Sequence, residues 1–173
     1  MTQNPPREQE EPEYLLEGIW SSFRRGSIQE VLHDCLMNPE IMHERHEFMS
    51  WTPIHLAARF NKGEMVAFLL GKGVNIDVQD AHGQTPLALA CFHGHFYMAR
   101  LLLEHGANVN HMDFTGSTPL FQAVFGKKLR LVTLLREWGA SASLKDQDGL
   151  IPVQWAHYLQ DRPEIVTVLA TFP

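Results

Sequence analysis

Short apolar runs separated by polar turns characterise the middle of this chain. Residues 65–70 read MVAFLL, lie between Gly63 and Gly73, and supply the apolar stripe of a helix. Upstream of this run stands Thr52-Pro53. A threonine can accept a hydrogen bond from the N–H groups of a first helical turn, and a proline beside it loses no hydrogen bond at the first helical position. The pattern therefore predicts two consecutive helices, the first beginning at Pro53.

This pattern recurs with a period of 33 residues. Thr-Pro stands at 52–53, 85–86 and 118–119, and Ile151-Pro152 follows at the same step. A fixed period of this length is typical of repeat architectures. Three further columns keep the step: Ala57, Ala90, Ala123 and Ala156; Leu69, Leu102, Leu135 and Val168; and Gly73, Gly106 and Gly139. The small alanines allow close helix approach, and the glycines are expected in left-handed helix caps.

The repeated residues resemble the ankyrin repeat, whose pattern runs roughly D-x-x-G-x-T-P-L-H-x-A-A-x-x-G-H, then apolar residues, L-L and G-A-x-x-N. The clearest matches are DAHGQTPLALACFHGHFYMARLLLEHGANVN and WTPIHLAARFNKGEMVAFLLGKGVNID. DFTGSTPLFQAVFGKKLRLVTLLREWGASAS also matches, and DQDGLIPVQWAHYLQDRPEIVTVLATFP is a degenerate last copy. The resemblance implies an all-α ankyrin-repeat solenoid of about four repeats, with short β-hairpin-like fingers.

The period also predicts the domain boundaries. Upstream of the repeats, apolar positions on either side of Gly26 indicate a degenerate helix pair that caps the stack. The predicted segments are a disordered acidic tail at 1–13, an N-terminal capping helix pair with its connector at 14–46, ankyrin repeats at 47–79, 80–112 and 113–145, and a degenerate C-terminal repeat at 146–173.

Several positions depart from the ankyrin pattern. The motif histidine is present as His55 but is replaced by Ala88, Phe121 and Gln154 in the later copies, which removes its hydrogen-bond support there. Ser50 stands in place of the turn glycine, and Lys127-Lys128 replaces the Gly-His between the two helices.

Composition narrows the function classes. The chain has 173 residues with 20 acidic and 14 basic side chains, and its net charge of −6 offers no basic face for nucleic acid. The sequence contains no apolar stretch of about 18 residues, so we predict no membrane insertion. Only Cys35 and Cys91 are present, which does not suggest a disulfide framework. We expect an intracellular protein, cytoplasmic or nuclear, that is a monomer.

No residue pattern indicates catalysis. His93-Gly94-His95 stands out among the ten histidines, but no cysteine or carboxylate pair lies near it at metal-ligand spacing. The sequence contains no glycine-rich phosphate loop. Asp80, Asp113 and Asp146 occupy equivalent turns, where each is expected to cap its own turn. We therefore predict no catalytic, cofactor or metal site, and a protein that is not an enzyme.

Aromatic residues recur where the resemblance places the concave face. Phe92, Phe125 and Tyr158 follow the positions that correspond to the Ala-Ala pair of the first helix in successive repeats, and Arg59 holds the same position in the first repeat. The predicted partner-binding residues are these four together with Phe60 and His93 on the helices, and Phe48, Met49, Trp51, His82, Gln84 and Phe114 on the finger side. Alternatively, the column packs on itself between repeats and exposes little. Trp138 and Trp155 are assigned to packing.

Asn110 stands where ankyrin fingers resemble known substrates of asparaginyl hydroxylation, after Leu102-Leu103 and Gly106-Ala107. The alternative is that this asparagine is there for local backbone hydrogen bonding.

The leading functional hypothesis is a non-enzymatic adaptor or scaffold that binds a peptide or domain of another protein on its concave helix and finger surface. The alternatives are a stoichiometric inhibitor of a kinase or transcription factor, and a targeting domain cut from a larger protein. An inhibitor would cover a large surface of a folded partner, whereas an adaptor would hold a short segment.

Overall fold

The computed structural model describes residues 28–159 and 163–171. The chain divides into two units, Met1–Ile41 and Met42–Pro173. In the first unit, helix α1 (Ile28–Met37) buries Val31 and Cys35, which lie one turn apart. Leu36, one of the apolar residues that follow Gly26 and were expected to pack in the capping pair, is exposed instead. The predicted acidic tail and the first helix of the capping pair lie outside the described residues.

The second unit contains four helix pairs, and a 3-10 helix (Pro39–His43) precedes the first of them. The pairs are α2 (Pro53–Arg59) with α3 (Gly63–Gly71), α4 (Pro86–His93) with α5 (Phe96–Glu104), α6 (Pro119–Phe125) with α7 (Leu129–Glu137), and α8 (Pro152–Tyr158) with α9 (Pro163–Thr171). The described residues contain helices and turns and no strand. This confirms the all-α architecture that the period predicts.

The predicted Thr-Pro helix starts are present. Each first helix has its proline at the first position, where the missing N–H leaves no hydrogen bond unmade. Thr85 Oγ1 accepts a hydrogen bond from the N–H of Ala88 at 3.4 Å. Thr52, Thr85 and Thr118 are all buried, so these starts also belong to the packed interior.

Two of the repeated columns form the core of the second unit. The first helices pack side by side in the order α2, α4, α6 and α8, and α7 packs between α5 and α9. In the last pair Val168 is only half-buried, and Ile165 and Leu169 fill the core in its place. The fully buried column members are Ala57, Ala90, Ala123 and Ala156 on the first helices, and Leu69, Leu102 and Leu135 on the second.

Each finger is a turn closed by its aspartate. The backbone N–H of Asp80 donates to the carbonyl of Gln84 at 3.0 Å. Asp80 Oδ1 accepts from the N–H groups of His82 and Gln84, both at 2.8 Å. Asp113 and Asp146 close their turns in the same way. The backbone hydrogen bonds within each finger are those of a turn, and the described residues contain no strand, so the predicted hairpin-like fingers form as turns.

Successive fingers are joined by backbone hydrogen bonds. Each bond joins the same two positions of neighbouring repeats, so the bonds between fingers recur with the same period as the helices. The donor N–H and acceptor carbonyl pairs are Ala81 to Met49 at 2.9 Å, Phe114 to His82 at 3.0 Å, and Gln147 to Thr115 at 2.8 Å.

Left-handed backbone positions recur once per finger. Gly83, Gly116 and Gly149 have φ between 76° and 78°, and Ser50 adopts φ 50° at the equivalent place. Lys127 has φ 56° where the preceding repeat has Gly94. Because a Cβ atom disfavours this region by about 1–2 kcal/mol, Ser50 and Lys127 are strained positions.

Replacing Ser50 with glycine is expected to stabilise the protein by about 1 kcal/mol, because glycine adopts positive φ without a Cβ clash. The matched change is Gly149→Ser, where φ is 76° and a new Cβ would meet no atom within 4 Å. This variant should lose a similar amount of stability from the backbone alone. Urea unfolding of both variants tests the prediction, and a Ser50→Gly variant no more stable than wild type would contradict it.

His55 ties the first repeat together from inside the core. The N–H of Thr52 donates to His55 Nδ1 at 3.1 Å, and His55 Nε2 lies 3.2 Å from the carbonyl of Gln84 in the next finger. With Nδ1 accepting, Nε2–H is the donor to that carbonyl. The side chain is fully buried. Burial is the main cause that lowers the pKa of His55 from 6.5 to about 4, so the imidazole is neutral near pH 7.

Stability is therefore expected to fall with acidification. The unfolded chain binds a proton at His55 more readily than the folded chain, so this contribution is complete above about pH 6.5 and is lost as the pH falls towards about 4. The loss across this window is about 3 kcal/mol. Urea unfolding at several pH values should give a steep decline for wild type and a shallower one for His55→Gln.

The exposed His157→Gln variant is the control for this measurement and should follow the wild-type pH dependence. If His55→Gln and wild type lose stability in parallel between pH 7 and pH 5, the assignment to His55 is wrong.

Candidate partner-binding groove

Four aromatic rings form a continuous row on the second unit, here called the aromatic row: Phe92, Phe125, Trp155 and Tyr158. The Phe92 and Phe125 rings are stacked with centroids 6.2 Å apart. Trp155 meets Phe125 edge-on at 6.3 Å and Tyr158 at 6.0 Å. Phe92, Phe125 and Tyr158 nevertheless remain 40%, 42% and 79% exposed. The two sequence-based alternatives are thus both partly realised, since the rings contact one another and also face solvent.

Repeat geometry explains this row. Phe92 and Tyr158 are at the ends of α4 and α8, and Phe125 is at the end of α6, each 33 residues from the next. Because the first helices pack side by side, residues at the same helical position come into contact. Trp155 lies one turn before Tyr158 on α8 and fills the space between Phe125 and Tyr158.

A groove of about 510 Å³ lies along this row, between the finger tips and the first helices. This volume falls within the usual range for ligand clefts. Phe114 forms part of the wall, and a Cβ on Gly83 would stand 2.7 Å from its Cδ1 atom, so the glycine makes room for the ring. Five predicted residues line the groove: His82, Gln84, Phe92, Phe114 and Phe125.

Sequence analysis missed other lining residues, notably Trp155, Phe121 and Gln122. Trp155 was assigned to packing, although its spacing of three from Tyr158 places both on one side of α8. Phe121 replaces the motif histidine, and that departure was the available signal. Trp138 was also assigned to packing and is 43% exposed, outside this groove.

At the N-terminal end of the column, Arg59 occupies the place of an aromatic residue. Its Nη1 donates to His93 Nε2 at 2.8 Å, and its guanidinium lies 5.1 Å from the Trp51 ring centroid. Burial, and then the Arg59 charge, lower the pKa of His93 to about 4, which keeps the imidazole able to accept this bond. His95 Nε2 donates to the Arg59 carbonyl at 2.8 Å. Arg59 and His93 are therefore held in an intramolecular network.

Trp51 is a correction to the predicted site. It is only 8% exposed, and its Nε1–H donates to Asp80 Oδ2 at 3.0 Å, so it belongs to the core between two repeats. Phe48 is exposed, whereas Met49 and Phe60 are half-buried, and none of the three lines the groove. The predicted site thus separates into the groove and a first-repeat cluster.

The described residues contain no group of histidine, cysteine and acidic side chains arranged to hold a metal ion. None of the helices that the structure describes is both long and apolar enough to cross a membrane.

Asn110 connects two repeats through its side chain. Its Nδ2 donates to the carbonyl of Gly139 at 3.2 Å, and its Oδ1 accepts from the N–H of Ser141 at 2.8 Å. Asp77 acts similarly one repeat earlier, accepting from the N–H of Asn108. These side-chain bonds of Asn110 reach the backbone of the next repeat and not the local backbone that the alternative named, and hydroxylation of Asn110 stays a prediction.

Removing this bridge should weaken the stack. We expect Asn110→Ala to destabilise the protein by about 1–2 kcal/mol, because two hydrogen bonds between repeats are lost. Asn110→Asp keeps the acceptor for Ser141 but not the donor for Gly139, so its loss should be intermediate. Thermal and urea unfolding check the order, which would be contradicted by an alanine variant as stable as wild type.

Comparison with known families agrees with this architecture. A family model for ankyrin repeats matches residues 21–113 in three copies. The match starts within the predicted capping pair, and the helix pairs described above continue beyond its end with the same period. No curated protein matches the chain. The family model covers more than half of the sequence, and the chain belongs to the ankyrin-repeat family.

Proposed function

We propose that this protein is an adaptor that holds a segment of another protein in the groove along the aromatic row. Ankyrin repeats are generally protein–protein interaction modules. The observation that carries the proposal is a continuous row of four aromatic side chains, of which Phe92, Phe125 and Trp155 line one groove. Tyr158 extends the row beyond the groove lining through its contact with Trp155 and is 79% exposed. Contiguous exposed apolar surface of this kind marks interaction sites more often than isolated apolar residues do.

The energetics of the row favour a binding role. An aromatic side chain can bury about 150–250 Å² and holds little conformational freedom to lose. Rings that already stack on one another are held in place before a partner arrives, which lowers the entropic cost of binding. Aromatic anchors in pockets are also the residues that most often dominate binding energy.

The chemistry of the cysteines supports an adaptor without a catalytic step. Burial, with the Asp34 charge as a second cause, raises the pKa of Cys35 to about 11. Burial also raises the pKa of Cys91. Both thiols are therefore protonated near pH 7, and a protonated thiol is a poor nucleophile. The shifted histidines, His55 and His93, accept hydrogen bonds within the fold.

Removing three of the four rings of the aromatic row should abolish partner capture. Affinity purification from cell extract with wild-type protein and with Phe92→Ala/Phe125→Ala/Tyr158→Ala should give a partner that is lost from the variant, because only Trp155 of the row remains. Loss of one anchor at an interface commonly costs about 2 kcal/mol or more, so three should leave little binding.

The matched control is Tyr97→Ala/Trp138→Ala, which removes two exposed aromatic residues that do not line the groove. Circular dichroism and thermal unfolding must show both variants folded. A partner retained by the groove variant but lost by the control would contradict the proposal. The size of the interface on the partner then separates an adaptor from an inhibitor, since an inhibitor covers a folded domain.

A further inference from the structure

We propose that the bound segment carries an arginine or lysine side chain that lies over Trp155 and faces Asp148. This inference rests on the proposed function, because it assigns the chemistry of the segment that the groove holds. It follows from the charges that line the groove and from a comparison of two tryptophan–aspartate pairs in the chain.

The groove is acidic on its finger side. Asp113, Asp146 and Asp148 line it, and no lysine or arginine is among the described lining residues. An apolar floor with carboxylates along one wall complements a segment that combines apolar and basic side chains. The same carboxylates would repel a phosphate backbone or an acidic peptide.

The three carboxylates differ in what they already bind. Asp113 and Asp146 each use Oδ1 to accept N–H groups within their own turns. Asp146 Oδ2 also accepts the indole N–H of Trp155. Asp148 is an exposed finger-tip residue, and in the part of the chain that the structure describes its carboxylate accepts no hydrogen bond. Asp148 is thus the carboxylate in the groove best able to meet a partner's cation.

The first repeat contains a comparable tryptophan–aspartate pair with a cation in place, although Trp51 donates to the finger of the next repeat and Trp155 to the finger of its own. There the Trp51 indole donates to the finger carboxylate of Asp80, and the Arg59 guanidinium lies 5.1 Å from the ring centroid of Trp51. In the groove the Trp155 indole donates to the finger carboxylate of Asp146, but no cation among the described residues lies over its ring. Among the described residues, an arginine therefore lies over one tryptophan of these two pairs and no cation lies over the other.

A partner cation over Trp155 would gain two interactions. A guanidinium or ammonium over an indole is attracted by the negative face of the aromatic ring. Asp148 in the same wall would add a charge-assisted hydrogen bond. Arginine suits the site better than lysine, because its planar guanidinium can stack on the ring and bind a carboxylate at its edge.

Phage display tests this inference: short random peptides are selected for binding to the full chain. We expect the selected peptides to be enriched in arginine or lysine flanked by apolar residues. Synthetic copies are then measured by fluorescence anisotropy with wild-type protein and Asp148→Lys. Asp148→Lys should weaken binding at least about tenfold, as expected for loss of a charge-assisted contact and its replacement by a like charge.

The control variant is Glu137→Lys, which makes the same charge change at an exposed residue outside the groove lining and should bind as wild type does. Replacing the basic residue of a peptide with alanine should weaken binding to wild type but have little further effect with Asp148→Lys. Such non-additivity shows that the two groups interact.

The outcomes separate this inference from the proposed function. Two results would overturn the inference and leave the proposed groove standing. In the first, the selected peptides bind Phe125→Ala/Tyr158→Ala more weakly than wild type but contain no basic residue. In the second, their binding is weakened by Phe125→Ala/Tyr158→Ala but unchanged by Asp148→Lys. An equal loss of binding affinity with Glu137→Lys would also overturn the inference, since the effect would then reflect general electrostatic attraction between the acidic protein and a basic peptide. Both proposals would be contradicted if the peptides bound Phe125→Ala/Tyr158→Ala and Asp148→Lys as tightly as wild type, or if no peptide were selected.

Discussion

Close packing of the first helices is the constraint on which the groove depends. Ala57, Ala90, Ala123 and Ala156 are fully buried where these helices meet, and their short side chains allow the helix backbones to approach. Because the alanines recur at one helical position, equivalent positions of neighbouring first helices lie beside one another. The residues at the helix ends are then brought into contact one after another, and this is why Phe92 and Phe125 stack. A larger side chain in the alanine column would separate the rings.

The groove also depends on a loss of polar support in the core. Phe121 stands where the first repeat has His55, and it contributes an apolar side chain to the groove wall. In exchange, the hydroxyl of Thr118 is buried without a hydrogen-bond partner among the described residues. An unsatisfied buried hydroxyl costs about 1–3 kcal/mol. The third repeat has therefore exchanged part of the stabilising network of the first for an apolar surface.

Sequence periodicity predicted the helix pairs and the aromatic column because both follow from residue type at a fixed step. It did not predict which tryptophan would be covered. Trp51 and Trp155 both donate to a finger aspartate, but Asp80 belongs to the following repeat and Asp146 to the same repeat as its partner. Trp51 is therefore enclosed between repeats, while Trp155 stays at the surface of its own. Spacing along the chain shows which helical position an aromatic ring occupies. Whether that ring is covered depends on the contacts it makes with the neighbouring repeat.

The finger hydrogen bonds have a consequence for how such an array can lengthen. Each joins the N–H of the residue just after a finger aspartate to a carbonyl at the equivalent place in the preceding finger, as Phe114 joins His82 and Gln147 joins Thr115. A duplicated copy of residues 80–112 could form the same backbone N–H to carbonyl hydrogen bonds with the fingers of the repeats before and after it. Gene duplication could thus extend the row by one ring at a time, and a partner segment with a longer recognition motif could be matched without any new kind of contact.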